Sequence, residues 1–240
     1  MFPQEPDEFN PGLERTRYQL RAAGGDDKNF NPLRSGVHTR GYLPHVKREG
    51  ADYFVTFRLA DSLPREKLLE FEREKAWRRR RLHEFLARGE AIDDSEQAIN
   101  RDHYRSIERY LDQGSGVCHL RQPDMARLVA DTLHHFHEKR YRLKAWVVMP
   151  NHVHVIVWPM PNHLLSNILK SWKQFTARRA KRELALGEGP FWQPESYNHW
   201  IRNEEERARM VRYIQNNPVT ARLCRRPEDW PWSHVSDVGL

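Results

Sequence analysis

Two alternating runs joined by Pro150 and Asn151 constrain this chain more than any other feature. Leu143, Ala145, Val147 and Met149 alternate with Lys144, Trp146 and Val148, and beyond the Pro-Asn pair the run His152-Val153-His154-Val155-Ile156-Val157-Trp158 alternates again. A period of two places successive side chains on opposite faces of a strand, and a Pro-Asn pair between two such runs is a tight connection within one sheet. A third run predicts a further strand: Tyr53, Val55, Phe57 and Leu59 alternate with Phe54, Thr56 and Arg58.

Helical spacing surrounds these strands. Met125, Leu128, Val129, Leu133 and Phe136 predict an amphipathic helix over 125–139, with Asp124 as its N-cap. Leu165, Ile168, Leu169, Trp172 and Thr176 form the inner stripe of a second helix over 164–184, ended by Gly187 and Gly189; Lys170, Lys173, Arg178 and Arg179 occupy its other faces. Asn203 followed by Glu206 is a capping box for a last helix, with Met210, Val211 and Ile214 facing inward and Pro218 as the stop. Residues 62–115 are strongly charged, open on Pro64 and run without a breaker until Gly89, and read as a helical insertion whose basic block Arg78–Arg81 is a solvated face. Pro, Gly, Asn and charges dominate residues 1–36, which read as an N-terminal arm before one domain over 37–240. The class is α+β, an antiparallel sheet with helices segregated on one face.

Of the 240 residues, 40 are Lys or Arg and 33 are Asp or Glu, a net charge of +7 that makes a polyanion the first partner to consider. No stretch approaches the roughly 18 apolar residues of a membrane span. Two cysteines, Cys118 and Cys224, are too few for a disulfide framework. The first residues lack a basic start followed by an apolar run. A cytoplasmic protein is the expectation.

The residues able to do chemistry cluster late in the chain. On a strand, His152 and His154 share a face with their Cα atoms about 6.5–7 Å apart, so two imidazoles can converge on one divalent ion. The same spacing also suits a buried polar pair, and a catalytic metal needs a third ligand. Tyr213 and Asn217 are four apart and share one face of the last helix. An amide oxygen is a hard ligand for Mg²⁺ or Mn²⁺, and a tyrosine beside such an ion is a nucleophile in waiting; both residues equally suit a core flank and a helix cap. Tyr197 is a rival nucleophile without an amide one turn on. Lys170 and Lys173, one turn apart on the outer face of their helix, are candidates to straddle a nucleic-acid backbone. His134, His135 and His137 read as surface histidines, and Trp230 and Trp232 as anchors of the tail.

The strand NHVHVIV followed by YIQNNPVTARL and PEDWPWSH resembles the single-tyrosine HUH transposases, and among them the REP-associated tyrosine transposases of bacteria. RGYLPH at 40–45, DYFVTFRLADSLP at 52–64 and FWQPESYNHWI at 191–201 are similar to the same family, so the resemblance runs from about 40 to 234. It implies a ferredoxin-like HUH nuclease fold. It implies a metal-assisted DNA transposase that binds palindromic repeats as hairpins and cleaves and rejoins single-stranded DNA. Tyr213 would be the nucleophile of a 5′-phosphotyrosine bond. His152 and His154 would bind the ion, Mg²⁺ or Mn²⁺, with Asn217 as third ligand, and Lys170, Lys173, Arg178 and Arg179 would contact DNA. The alternative is a domesticated, catalytically silent repeat-hairpin-binding protein. The resemblance leaves open whether the protein is a monomer or a homodimer.

Overall fold

The computed structural model describes residues 36–40, 43–47, 50–90 and 94–236. The expected arm at 1–36 lies outside these residues except for Gly36. In chain order the elements are β1 (Gly36–Arg40), β2 (Leu43–Lys47), β3 (Tyr53–Arg58), α1 (Arg65–Ala87), α2 (Glu96–Asp112), α3 (Pro123–His134), β4 (Tyr141–Val148), β5 (His152–Pro159), α4 (Leu165–Glu183), β6 (Tyr197–Trp200), α5 (Glu204–Thr220) and β7 (Ser233–Val235). β1 and β2 pair antiparallel as a two-stranded sheet.

The remaining strands form an antiparallel sheet in the order β6-β3-β5-β4-β7. Omitting α1, α2 and β7, the path β3-α3-β4-β5-α4-β6 with spatial order β6-β3-β5-β4 is the ferredoxin-like arrangement. β5 is central, so both its faces must be covered. Val153, Val155 and Val157 enter a core shared with Met125, Val129 and Leu133 of α3 and with Ile168, Leu169 and Trp172 of α4. The opposite face carries Phe54, Ala145, Val147 and Ile156, packed against Val211 and Ile214 of α5.

The one-face placement of helices is therefore corrected: α3 and α4 lie on one face and α5 on the other. The reason is energetic. Each large apolar side chain left in water would forgo about 1.5–3 kcal/mol of burial, so a second apolar face requires a second layer.

Four local features differ from the sequence reading. Along β4 the register shifts between Leu143 and Ala145, so Leu143 joins the first core while Ala145, Val147 and Met149 join the second. A bulge breaks the parity on which alternation depends. α3 stops at His134, short of 139, because the chain must turn back into β4; Glu138 takes a left-handed φ of 59° and the Arg140 guanidinium stacks on Phe136 at 3.6 Å. Gln122 with Pro123 at the first turn caps α3 in place of Asp124. Pro218 sits inside α5, which ends only at Thr220.

Residues 65–87 and 96–112 are the two helices of the charged segment. Leu63, Phe71, Ile107 and Leu111 form their shared core. Arg78 bonds Asp94 at 3.0 Å and Asp102 at 3.2 Å, and Arg79 bonds Glu96 at 2.8 Å, so half of the basic block is engaged within the hairpin.

Just before β3, buried Asp52 faces Lys144 Nζ at 3.1 Å and Arg207 Nε at 2.9 Å, which links β3, β4 and α5. Asp52→Ala leaves two cations facing each other. The expected loss is about 2–3 kcal/mol, below the usual figure for breaking a buried pair because both cations keep solvent contact. Urea unfolding measures it, and a loss under about 0.5 kcal/mol would show that the cluster contributes nothing net.

Candidate active site

His152 and His154 are both fully buried on the α5 side of β5, with their rings 4.7 Å apart. Each ring is tethered through Nδ1. Asn151 donates its Nδ2 to the carbonyls of Leu111 and Ser115 at 3.0 and 2.9 Å, which leaves its Oδ1 to face His152 Nδ1 at 2.7 Å. That oxygen can only accept, so His152 carries its proton on Nδ1 and presents a lone pair at Nε2. His154 Nδ1 meets Thr56 Oγ1 at 2.8 Å, and Thr56 in turn meets Tyr104 Oη at 2.9 Å. The two Nε2 atoms face each other at 3.1 Å. Tethers at Nδ1 with Nε2 atoms converging is how imidazoles are oriented toward a metal.

A carboxylate that the sequence reading missed completes the cluster. Glu108 of α2 is buried, with Oε2 at 3.0 Å from His154 Nε2, and the ligand atoms of Glu108, His152 and His154 lie within 4.8 Å of one another. This group could hold a divalent ion. Burial opposes the charge of Glu108, but the imidazoles and the Tyr213 hydroxyl outweigh it and hold its carboxyl at about 2. Asp112, one turn on, lies 4.0 Å from His152 Nε2; burial and the Glu108 charge push it up to about 6. Glu108 Oε1 and Asp112 Oδ1 are buried without a hydrogen-bond partner among the described residues, so both oxygens are free to face a cation. A signal did exist in the sequence: Glu108 interrupts the stripe Tyr104, Ile107, Leu111 of its own helix. Arg58, opposite His152 in the β3–β5 register, supplies a half-buried cation on the same face.

α5 brings the tyrosine. Asn203 caps it by accepting from Glu206 N at 2.8 Å, as the capping box requires, while the Glu206 carboxylate turns to Arg202 N and His199. Two turns on, Tyr213 is half-buried; its Oη donates to Glu108 Oε2 at 2.5 Å and lies 3.5 Å from His154 Nε2. Phe54 fixes this corner, stacked on His154 with centroids 5.4 Å apart and edge-on to Tyr213 at 5.9 Å. Burial, and then the Glu108 anion, raise the Tyr213 phenol well above its usual range. Asn217 is buried beside Tyr213 and Asp112, near enough to steady both charges but with no hydrogen bond of ordinary geometry. Tyr197 stacks on Tyr104 at 4.0 Å, and burial with the Glu108 charge lifts it to about 12.

The basic helix lies differently from expectation. Lys173 is not on the outer face: its ammonium donates to the carbonyls of Gln193 and Pro194 at 2.5 and 2.9 Å, and burial beside Arg58 lowers it to about 8. Spacing made it a neighbour of Lys170, but the loop after α4 folds back over it. Lys170 and Arg178 are exposed, and Arg179 pairs with Glu183 at 2.9 Å. His134 accepts from Trp146 Nε1 at 3.1 Å. Trp230 donates to the Val148 carbonyl at 3.1 Å, an anchor as expected.

Acid stability reports on this cluster. Burial, then His154, hold His152 at about 3 in the folded chain against about 6.5 unfolded. Between those values the unfolded state binds the extra proton, so folding weakens as pH falls. Glu108 adds the same sign between about 4.5 and 2, and Asp112 the opposite sign between about 4 and 6. His152→Asn should flatten the fall in stability below pH 6.5, read from urea midpoints across pH. A curve with the slope of the parent would place the titration elsewhere.

Residues 121–217 match the family model described as Transposase IS200 like, a segment that contains His152, His154, Tyr213 and Asn217. That segment of the chain is thus similar to the IS200-like transposases. The chain is also similar to a REP-associated tyrosine transposase, the resemblance its motifs carry: it is 34% identical over 99 residues to the REP-associated tyrosine transposase of Escherichia coli (strain K12). That alignment covers 40% of this chain and 55% of the relative, so the chain spans about half the length of the curated relative it matches. Among solved structures, a REP-associated tyrosine transposase bound to a REP hairpin aligns over 82% of this chain and 81% of its own, with 21% identity and a TM-score of 0.45. A putative transposase from Deinococcus radiodurans aligns over 75% of this chain and 96% of its own, with 17% identity and a TM-score of 0.29. Among the described residues no helix is long and apolar enough to cross a membrane.

Proposed function

We propose that this chain is a metal-assisted transposase that binds hairpin-forming repeat DNA and cleaves and rejoins single-stranded DNA through a 5′-phosphotyrosine. The observation that carries the reading is the Tyr213 hydroxyl 3.5 Å from His154 Nε2, itself 3.1 Å from His152 Nε2. Tyr213 Oη would attack the scissile phosphorus. The P–O3′ bond breaks, its electron pair leaving with the 3′ oxygen, and a phosphotyrosine bond to the 5′ side forms. The phenol proton leaves along the hydrogen bond to Glu108, and the 3′ oxygen is protonated to a free hydroxyl. The covalent bond conserves the energy of the phosphodiester, so rejoining needs no nucleotide.

His152 and His154, with Asn217 beside them, would hold Mg²⁺ or Mn²⁺. Such an ion would offset charge on the phosphate and on Glu108. The phenol is reluctant to ionise beside a bare carboxylate, and that reluctance is what a cation would relieve. Arg58 is placed to meet a phosphate, and Lys170 and Arg178 to contact the DNA backbone, with Arg179 available once it leaves Glu183.

Incubation with labelled single-stranded repeat hairpins tests the proposal. A protease-sensitive, covalently shifted band is expected with Mg²⁺ or Mn²⁺, lost in EDTA and restored by the ion. Salt-sensitive binding without a covalent band on any hairpin would assign the chain to the silent repeat-binding alternative.

A further inference from the structure

We infer that Glu108, from the charged hairpin rather than from the transposase segment, is a metal ligand, so that this chain holds its ion in a site of two imidazoles and one carboxylate and can load it before DNA arrives. The inference rests on the metal reading above and deepens it. His152, His154, Tyr213 and Asn217 all fall within the matched segment 121–217, whereas Glu108 lies outside it.

Charge balance decides the matter. A dication taken into a fully buried pocket with two neutral imidazoles and a neutral amide as its protein ligands has no compensating charge on the protein. A buried carboxylate with one oxygen unpartnered is equally uncompensated. Glu108 Oε1 is such an atom, and the only ion pair Glu108 makes among the described residues is with His154. Its Oε2 already holds the Tyr213 hydroxyl, so the carboxylate spans nucleophile and ion site together. His152 Nε2 and Glu108 Oε2 both converge on His154 Nε2, and the ligand atoms of the three residues lie within 4.8 Å of one another, so a cation taken up among them would meet two imidazoles and one anionic carboxylate. The position of Glu108 is not accidental: Asn151, which orients His152, also bonds the Leu111 carbonyl and so docks the end of α2 onto the β4–β5 turn.

Two consequences follow for the ion. An anionic ligand lets it bind without a DNA phosphate to balance its charge. Two imidazoles favour a transition ion such as Mn²⁺ over Mg²⁺, which prefers oxygen ligands and retains its waters.

Calorimetric titration of EDTA-stripped full-length chain, free of DNA, tests this with MnCl₂ and MgCl₂ as the probes. The parent should bind Mn²⁺ at least tenfold more tightly than Mg²⁺. Glu108→Gln should weaken Mn²⁺ at least tenfold while its circular dichroism spectrum and its affinity for a repeat hairpin in EDTA stay unchanged. Equal Mn²⁺ affinity in parent and Glu108→Gln overturns the inference and leaves the metal reading intact. A parent that binds neither ion, alone or with hairpin DNA, overturns both. Should Glu108→Gln fail to fold, Mn²⁺ anomalous scattering from crystals of the parent decides. An ion within about 2.5 Å of a Glu108 oxygen supports the inference, and one bound to the histidines but not to Glu108 overturns it.

Discussion

Tyr213→Phe is expected to abolish the covalent protein–DNA band altogether while hairpin binding stays within about twofold. The variant removes one oxygen and keeps the ring, so the edge-on contact with Phe54 at 5.9 Å survives. It also removes the hydrogen bond to Glu108 and the approach to His154 Nε2. No neighbouring phenol is placed to substitute. Tyr104 is bonded to Thr56, and Tyr197 is stacked on Tyr104 with its hydroxyl pushed to about 12. A surviving adduct in Tyr213→Phe, mapped by mass spectrometry to Tyr197, would instead promote the rival that the sequence offered.

His154→Ala should lower the rate of adduct formation by about 10²–10³-fold, the usual scale for losing a group that stabilises developing charge. His154 touches every part of the site. It meets Thr56 through Nδ1, His152 and Glu108 through Nε2, Phe54 through its face and Tyr213 at 3.5 Å. Asn217→Ala, which removes a neutral amide from the edge of the cluster, should cost about tenfold. Single-turnover rates on one hairpin at saturating protein separate the two, because binding differences then drop out. Equal losses in both variants would mean that the amide matters as much as the imidazole.

The strands, and the clustering of the candidate site residues of the matched segment, were legible because their signals are local. Alternation exposed β3, β4 and β5, and the His-x-His spacing put both rings on one face. The four-residue interval from Tyr213 to Asn217 placed them together on α5. What escaped was set by tertiary contact. Glu108 interrupts the apolar stripe of its own helix, but that interruption does not say that the helix will deliver it to a strand over forty residues further on. The bulge between Leu143 and Ala145 is invisible to a count of alternating residues. Lys173 looked like a surface cation because helical spacing cannot foresee a loop at 193–196 closing over it. The second apolar face was readable in principle, since Phe54, Val147 and Ile156 oppose the valines of β5, but helices segregated on one face leave that side without a cover.

Tyr213, His152, His154 and Glu108 are all donated by one polypeptide, with the phenol already at its imidazole. On the proposed reading a single copy would carry every side chain that the first nick calls for, without a helix borrowed from a second molecule. Adduct formation at subsaturating enzyme should rise with the first power of protein concentration, and mixing inactive Tyr213→Phe chains with inactive His154→Ala chains should rescue nothing.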